Sequence, residues 1–410
     1  MSKVIIVGGG AAGMMASVIA AKEHEVILIE KNEKLGKKLF ITGKGRCNFT
    51  NECPKDELFQ SVINNPKFMY SAFNNFTNED TIYFFNELGL KSKTERGGRV
   101  FPASDKSSDV IKALEKKLKS LGVKVMLNTA VTDILISDGR CTGVKTKDET
   151  IYADEVIIAT GGASYPLTGS TGDGYTFAKK AGHNVTDIRP GLAPLRTKED
   201  FPKRMQGLSL RNVAVRFSDT DGKKVHEDFG ELLFTHFGVS GPVILTAESF
   251  LSKRLAKEKM TLTIDFKPAL DFEKLDARMI RELEESPKRS FRSVLKTLLP
   301  ASAVPVFEDI LKIDPEKKAC EVTSANRKDT VRLLKGFNLT ITGTGGLDEA
   351  IITQGGVDVK EIDPRTMESK VCEGLYFIGE VLDTDALTGG FNLQIAWSSA
   401  YVCAKKIGEK

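Results

Sequence analysis

The sequence predicts an α/β protein: a discontinuous Rossmann-like domain carrying an inserted β-rich module, expected to form a barrel, and a small helical module. Three observations predict it. The first thirty residues read as strand, glycine turn, helix and strand. After Pro190 short alternating segments take over, followed from Pro268 by amphipathic helical stretches. Segments of the opening kind then return at the C-terminus. The expected boundaries are residues 1–190 with 353–410 for the Rossmann-like domain, 191–267 with 337–352 for the β-rich module and 268–336 for the helical one.

In order along the chain, Lys3 to Val7 is an apolar, β-branched run suited to a strand buried on both faces. Gly8-Gly-Gly-Ala-Ala-Gly13 interrupts it, Met14 to Lys22 continues as a helix, and Glu25 to Glu30 is a second buried strand ending in an acid. A helix near Ser107–Leu121 leads to a strand near Val123–Leu127. Cys141–Thr146 and Thr150–Ala153 read as a hairpin around Lys147-Asp-Glu149, and Glu155–Thr160 as a further buried strand. In the second part Asn212–Phe217 and Met260–Phe266 alternate, with turn signals such as Asp221-Gly222 between strands. Phe272–Glu285, Ser290–Leu299 and Asn326–Leu334 are amphipathic, and Pro287, Pro300, Pro305 and Pro315 punctuate them. Phe337–Thr342 and Leu375–Ile378 return to strand, and Leu393–Ile407 is a helix rich in Ala and Ser.

A chain of 410 residues is long enough for two or three domains. With 41% hydrophobic and 28% charged residues it has the composition of a globular protein and excludes wholesale disorder. A net charge of +4 does not support a dedicated nucleic-acid binder, although it leaves room for a local basic patch. The six cysteines are scattered without a CxxC pair, and the four histidines show no ligand spacing, so we expect a reduced, cytoplasmic setting and no metal site. The uncharged run Val4–Ala21 contains three consecutive glycines and leads into a charged turn and a strand, which reads as the first strand–helix unit rather than a targeting or membrane segment.

Gly8-x-Gly10-x-x-Gly13 by itself is weak. Here it follows a buried strand, opens a helix and precedes a second strand ending in Glu30, 17 residues after Gly13. That context is the dinucleotide fingerprint. Gly8 permits the tight turn, Gly10 leaves the backbone open to a pyrophosphate, Gly13 allows close packing of helix on strand, and Glu30 is suited to ribose hydroxyls. Residues from the other chain end point to FAD over NAD as the bound dinucleotide. Thr160-Gly161-Gly162 follows a strand, Gly379-Glu380 follows another, and Asp383 and then Gly390-Phe391-Asn392-Leu393 open the last helix, whose N-terminus suits a flavin pyrimidine ring.

The start of the chain, the block Gly36 to Asn51 (GKKLFITGKGRCNFTN), the block Ala159 to Pro166 and the stretch Gly379 to Gln394 resemble the three-domain bacterial flavoproteins of the BaiN-like, aminoacetone-oxidase-like group. The resemblance covers essentially the whole chain. It implies non-covalent FAD among Gly8, Gly10, Ala12, Gly13, Glu30, Lys31, Gly43, Arg46, Cys47, Asn48, Thr160, Gly161, Gly162, Gly379, Glu380, Asp383 and Gly390 to Leu393, with the Val131 backbone at the adenine. NAD(P)H is the expected transient reductant, and the absence of a second glycine fingerprint fits a nicotinamide that docks only transiently. Some relatives reduce uridine in ribosomal RNA, so the resemblance bears on cofactor more than on substrate.

Other constellations have a plainer alternative beside the functional one. Cys47 and Cys53 lie where flavin disulfide reductases carry a redox pair but are separated by five residues, one too many, and we expect bystander thiols. Arg46 suits a flavin or substrate anion, or a solvated loop charge. Thr168–Gly174 suits the cofactor rim or a plain loop, and Gly343–Gly346 with Gly355-Gly356 suits turns. His236 suits a structural histidine better than a substrate contact. Lys288, Arg289, Arg292 and Lys296 form a basic face that is either solvated or an RNA contact. The expected activity is an FAD-dependent oxidoreductase passing hydride from NAD(P)H to an unsaturated or carbonyl-conjugated small molecule, without a membrane partner. RNA uridine reduction through the helical module, amine or amino-ketone oxidation by dioxygen, and a non-catalytic flavin sensor are the rivals.

Overall fold

The computed structural model describes residues 1–407. It forms two compact units: one runs from Met1 to Gly191 and resumes at Leu347, and the other is Leu192–Gly346.

The first unit is built on β1 (Lys3–Val7), α1 (Ala11–Ala20), β2 (Glu25–Ile29), α2 (Lys37–Ile41), β3 (Lys124–Met126), β4 (Glu155–Ile158), α3 (Asp173–Lys180), β5 (Leu375–Phe377) and α4 (Phe391–Lys406). Its sheet is parallel in the order β5-β4-β1-β2-β3, so strands from both ends of the chain lie side by side. β1 is central, and its Val4, Ile5 and Ile6 are fully buried, which accounts for the absence of alternation in its sequence. α1 is buried from Ala12 to Ala20 and packs on α4, so the uncharged opening run is an internal strand–helix unit. No helix among the described residues is long and apolar enough to cross a membrane.

Two three-stranded sheets and two two-stranded ones add to this unit. Val131–Ser137, Arg140–Thr146 and Thr150–Tyr152 form a three-stranded antiparallel sheet where the sequence suggested a hairpin. The first of these strands reads Val-Thr-Asp-Ile-Leu-Ile-Ser, whose apolar triplet follows no two-residue period. Thr50–Asn51, Arg99–Pro102 and Ser92–Glu95 form another, legible only through their pairing.

The second unit holds a closed six-stranded antiparallel barrel, including Ser209–Ser218, Lys224–Phe234, Met260–Asp265 and Phe337–Thr344. The helices Phe272–Glu284, Phe291–Leu298, Val304–Leu311 and Ser324–Lys335 share one hydrophobic core with it. Phe307 stacks on Phe337 at 5.6 Å between ring centres, and Phe266 meets both rings edge-on, so barrel and helices are joined by the same aromatic cluster. The basic run also resolves differently from its sequence appearance. Lys288 and Arg289 lie in the turn before the helix Phe291–Leu298, and Arg292, its side chain 43% exposed, is bound at 2.8 Å to the buried Glu308, which ties it to the fold.

Candidate functional site

The site assembles at the carboxyl ends of β1, β2, β4 and β5, where an open parallel sheet offers strand ends and helix N-termini together. The three fingerprint glycines have separable reasons. Gly8 has φ +107°, and a Cβ there would sit 2.5 Å from the Ala159 carbonyl oxygen, so the turn closes directly on the end of β4. A Cβ on Gly13 would lie 1.8 Å from the Gly8 carbonyl oxygen, which requires glycine for α1 to approach its own turn. A Cβ on Gly10 would meet nothing within 4 Å. Gly10 is therefore the position at which the protein itself leaves space, at the N-terminus of α1.

Glu30 is 8% exposed, and its carboxylate ties the glycine turn to the chain after β2. Oε2 accepts from the Gly9 amide at 2.7 Å; Oε1 accepts from the Asn32 amide at 2.8 Å and its side-chain nitrogen at 2.6 Å. Lys31 reaches the other way, to Asp173 at 2.6 Å and Thr171 at 2.5 Å, and Asn32 donates to the Thr168 carbonyl at 3.2 Å. The Thr168–Gly174 segment is thereby fastened beside Glu30. Val131 opens its strand just beyond Thr129, whose amide donates to the Glu30 carbonyl at 3.0 Å, so the Val131 backbone runs along the same strand end.

The Gly43–Asn48 loop follows α2. Gly43, Lys44, Gly45 and Cys47 all have positive φ, and for Lys44 and Cys47 that conformation costs roughly 1–2 kcal/mol each. Backbone strain of this kind is held where a function requires the shape. Asn48 Oδ1 is buried with no hydrogen-bond partner among the described residues. Thr160 Oγ1, at the end of β4, is likewise buried and unpartnered. The open face of Gly10 and these two polar atoms are what a buried polar cofactor would complete, and they fit a dinucleotide.

The two residues between these ends behave differently. Arg46 is engaged by Glu95 and by Asp105 (Nε–Oδ1 2.8 Å), and its guanidinium lies 4.2 Å from the Phe101 ring centre. It is anchored within the first unit by two carboxylates, with 36% of its side chain exposed, and its guanidinium holds the Glu95 carboxyl below its usual range. Cys47 is fully buried, and burial pushes its thiol up to about 12. Cys53 is pushed up to about 11 by burial and by Glu57, so neither sulfur is a thiolate at neutral pH.

The C-terminal contribution arrives through close packing. A Cβ on Gly379 would sit 2.9 Å from the Ala12 Cβ, and the Gly379 amide donates to Ser399 Oγ at 3.0 Å. That places Glu380 beside α1 and α4. Glu380 accepts from Lys38 and Ser164 side chains and from the Thr353 amide, and Gly162 packs against the Thr353 side chain. Gly161 turns with φ +72° below Ser170. Asp383 donates its amide to Val357 at 3.0 Å, and its carbonyl accepts from Asn65 at 2.6 Å. Gly390, with φ +103°, caps α4 against the Thr50 carbonyl, and Phe391 is buried behind it. The Asn392 side chain brackets Ala386 through its amide (2.9 Å) and carbonyl (2.7 Å), and Leu393 completes the first turn, whose amides carry the positive end of the helix dipole.

Sequence reasoning missed several participants. Lys38 lies inside the quoted block but looks the same as Lys37; only the structure separates them, with Lys37 on the neighbouring Glu33 and Lys38 on the distant Glu380. Tyr175, on α3, is 7% exposed with an unpartnered hydroxyl, and burial, with Glu380 and Asp383 nearby, holds its phenol protonated. His236 is exposed in a turn of the second unit against Phe237.

The HI0933-like protein Rossmann domain family model matches residues 2–406. A 3-dehydro-bile acid delta(4,6)-reductase of Clostridium scindens is 31% identical over 416 aligned positions that cover 100% of both chains. A ribosomal RNA dihydrouridine synthase of Haemophilus influenzae is 33% identical over 415 positions, covering 100% of this chain and 99% of that one. Among solved structures, 3-ketosteroid delta1-dehydrogenase of Sterolibacterium denitrificans shares the fold, with a TM-score of 0.54, 12% identity and 99% of each chain covered.

Proposed function

We propose, for a chain that belongs to the HI0933-like Rossmann family and is an FAD-dependent oxidoreductase, that it uses NADH or NADPH to saturate a carbon–carbon double bond conjugated to a carbonyl in a small molecule. One observation carries this reading: two full-length relatives, a delta(4,6)-reductase of a 3-dehydro-bile acid and a dihydrouridine synthase, are both named for saturating such a bond.

The flavin, when bound, supplies the hydride chemistry. The chain's own residues do the rest. The Gly8–Gly13 turn and the α1 N-terminus are suited to the pyrophosphate, Glu30 to the ribose, Asn48 Oδ1 and Thr160 Oγ1 to polar groups of the cofactor, and the first turn of α4 to negative charge on the pyrimidine ring. The raised thiol pKa values of Cys47 and Cys53 argue against a thiolate role for either in electron transfer. We place the protein in the cytoplasm because its six cysteines are free and scattered.

Anaerobic stopped-flow absorbance near 450 nm tests the reading. Bleaching of the purified protein by NADH or NADPH, followed by slow return in air and fast return with an enone, is the expected result. A yellow protein that neither nucleotide bleaches overturns the nicotinamide half, and fast return in air alone points to an oxidase.

A second reading, RNA uridine reduction, is favoured by the Haemophilus relative's name together with exposed Lys288, Arg289 and Lys296. Saturable, salt-dependent binding of a ribosomal RNA fragment would move it ahead.

A further inference from the structure

We propose that Lys38 is the counter-charge of Glu380: it holds that carboxylate in place and, by neutralising it, sets how readily the bound flavin accepts electrons. The inference rests on the FAD reading above.

Lys38 Nζ donates to both Glu380 oxygens, at 2.8 and 3.0 Å, and to Ser164 Oγ at 2.7 Å. The two side chains are 22% and 24% exposed, so the pair is largely withdrawn from water. Glu380 Oε1 also accepts from the Thr353 amide at 2.8 Å and from Ser164 Oγ at 3.2 Å. Thr353 Oγ1 in turn accepts from the amides of Ala163 and Ser164, at 2.8 and 3.0 Å. Four segments distant in sequence thus meet on one carboxylate: α2, the turn after β4, the strand Ile352–Gln354 and the turn after β5. A Cβ on Gly162 would lie 2.3 Å from Thr353 Oγ1 and 3.0 Å from Glu380 Oε1, so the clamp closes only around glycine.

The geometry matters electrically. α2 leads directly into the Gly43–Asn48 loop, and Glu380 directly follows Gly379, so the pair joins the two stretches that the site assigns to the flavin. A lone carboxylate there would oppose the negative charge that a flavin gains on reduction, and withdrawal from water strengthens that opposition. Glu380 paired with Lys38 is neutral as a unit. Removing only the ammonium leaves the carboxylate uncompensated, whereas removing both charges restores neutrality.

The test uses the full-length protein and four variants: Lys38→Met, Lys38→Arg, Glu380→Gln and Lys38→Met/Glu380→Gln. FAD affinity is read by flavin fluorescence and the midpoint potential by dye-coupled reductive titration. For Lys38→Met we expect roughly tenfold weaker FAD binding and a potential lower by about 30 mV, the two-electron equivalent of a further tenfold bias against the reduced form. Lys38→Arg keeps the wild-type potential, Glu380→Gln raises it, and the double variant binds FAD more tightly than Lys38→Met. An unchanged potential in Lys38→Met, or a double variant as impaired as the sum of the singles, overturns the proposal. If Lys38→Met retains no flavin at all, recovery of flavin in the double variant supports it and continued loss overturns it. A wild-type chain that takes up no FAD overturns the cofactor reading, and this inference with it.

Discussion

The amide of Gly9 donates a 2.7 Å hydrogen bond to Glu30 Oε2, so the acid at the end of the second strand shapes the glycine turn itself. Glu30→Ala removes that acceptor and the two contacts to Asn32. Hydrogen bonds to a charged group are worth about 1.5–3 kcal/mol. We expect FAD binding roughly tenfold weaker and a lowered melting temperature, with Glu30→Gln between the variant and wild type. Isothermal titration and thermal denaturation of the apoprotein check both.

Gly10 and Gly13 divide binding from folding. Gly10→Ala places a methyl in open space and leaves apoprotein stability within about 0.5 kcal/mol while weakening FAD roughly tenfold or more. Gly13→Ala drives a methyl against the Gly8 carbonyl and costs about 3 kcal/mol of stability. Urea melts of both apoproteins, with flavin content measured alongside, distinguish them; equal destabilisation would contradict the assignment of Gly10.

Cys53 is expendable. With its thiol held near 11, Cys53→Ser retains the nicotinamide-dependent bleaching rate within about twofold, and the rate shows no rise between about pH 7 and 9 from a titrating thiol. A loss of a hundredfold or more would revive a redox role for the cysteines.

His183 links stability to pH. Its Nδ1 lies 3.0 Å from Glu361 and its Nε2 lies 2.7 Å from Ser369 Oγ. The connectivity is that of a hydrolase triad, but Ser369 Oγ is buried and already accepts from the Val371 and Cys372 amides, so the group is structural. Burial holds the imidazole below its usual pKa, against the pull of Glu361. The unfolded chain takes up the proton near pH 6.5 while the folded one resists it, so stability falls as pH drops below about 6.5. Melting temperatures across that range should decline more steeply for wild type than for His183→Gln.

If the helical segment touches RNA, Lys288→Ala/Arg289→Ala/Lys296→Ala weakens binding of a ribosomal RNA fragment and lowers the salt dependence by about one counterion per lysine or arginine removed. Arg292 is left intact because its bond to Glu308 supports the fold. Unchanged binding removes these residues from the RNA reading.

What the amino-acid order determined by itself was local: the strand–glycine–helix–strand start, the acid at Glu30 and the glycine turn before the last helix, because strand burial, tight turns and helix caps each depend on a few neighbouring residue types. The tertiary structure decided what depends on pairing across hundreds of residues. Lys37 and Lys38 are adjacent and chemically identical, yet one lies on a helix surface beside Glu33 and the other reaches across 342 positions to Glu380. Arg46 reads as an anion ligand, and only the fold shows that Glu95 and Asp105, on separate segments, are its partners within the chain. The helices after Pro268 read as a module, and only the fold shows that Phe307 and Phe337 stack and join them to the barrel's core. In each case the partner is chosen by the fold, since a charge or a ring carries no information in sequence about which distant group will meet it.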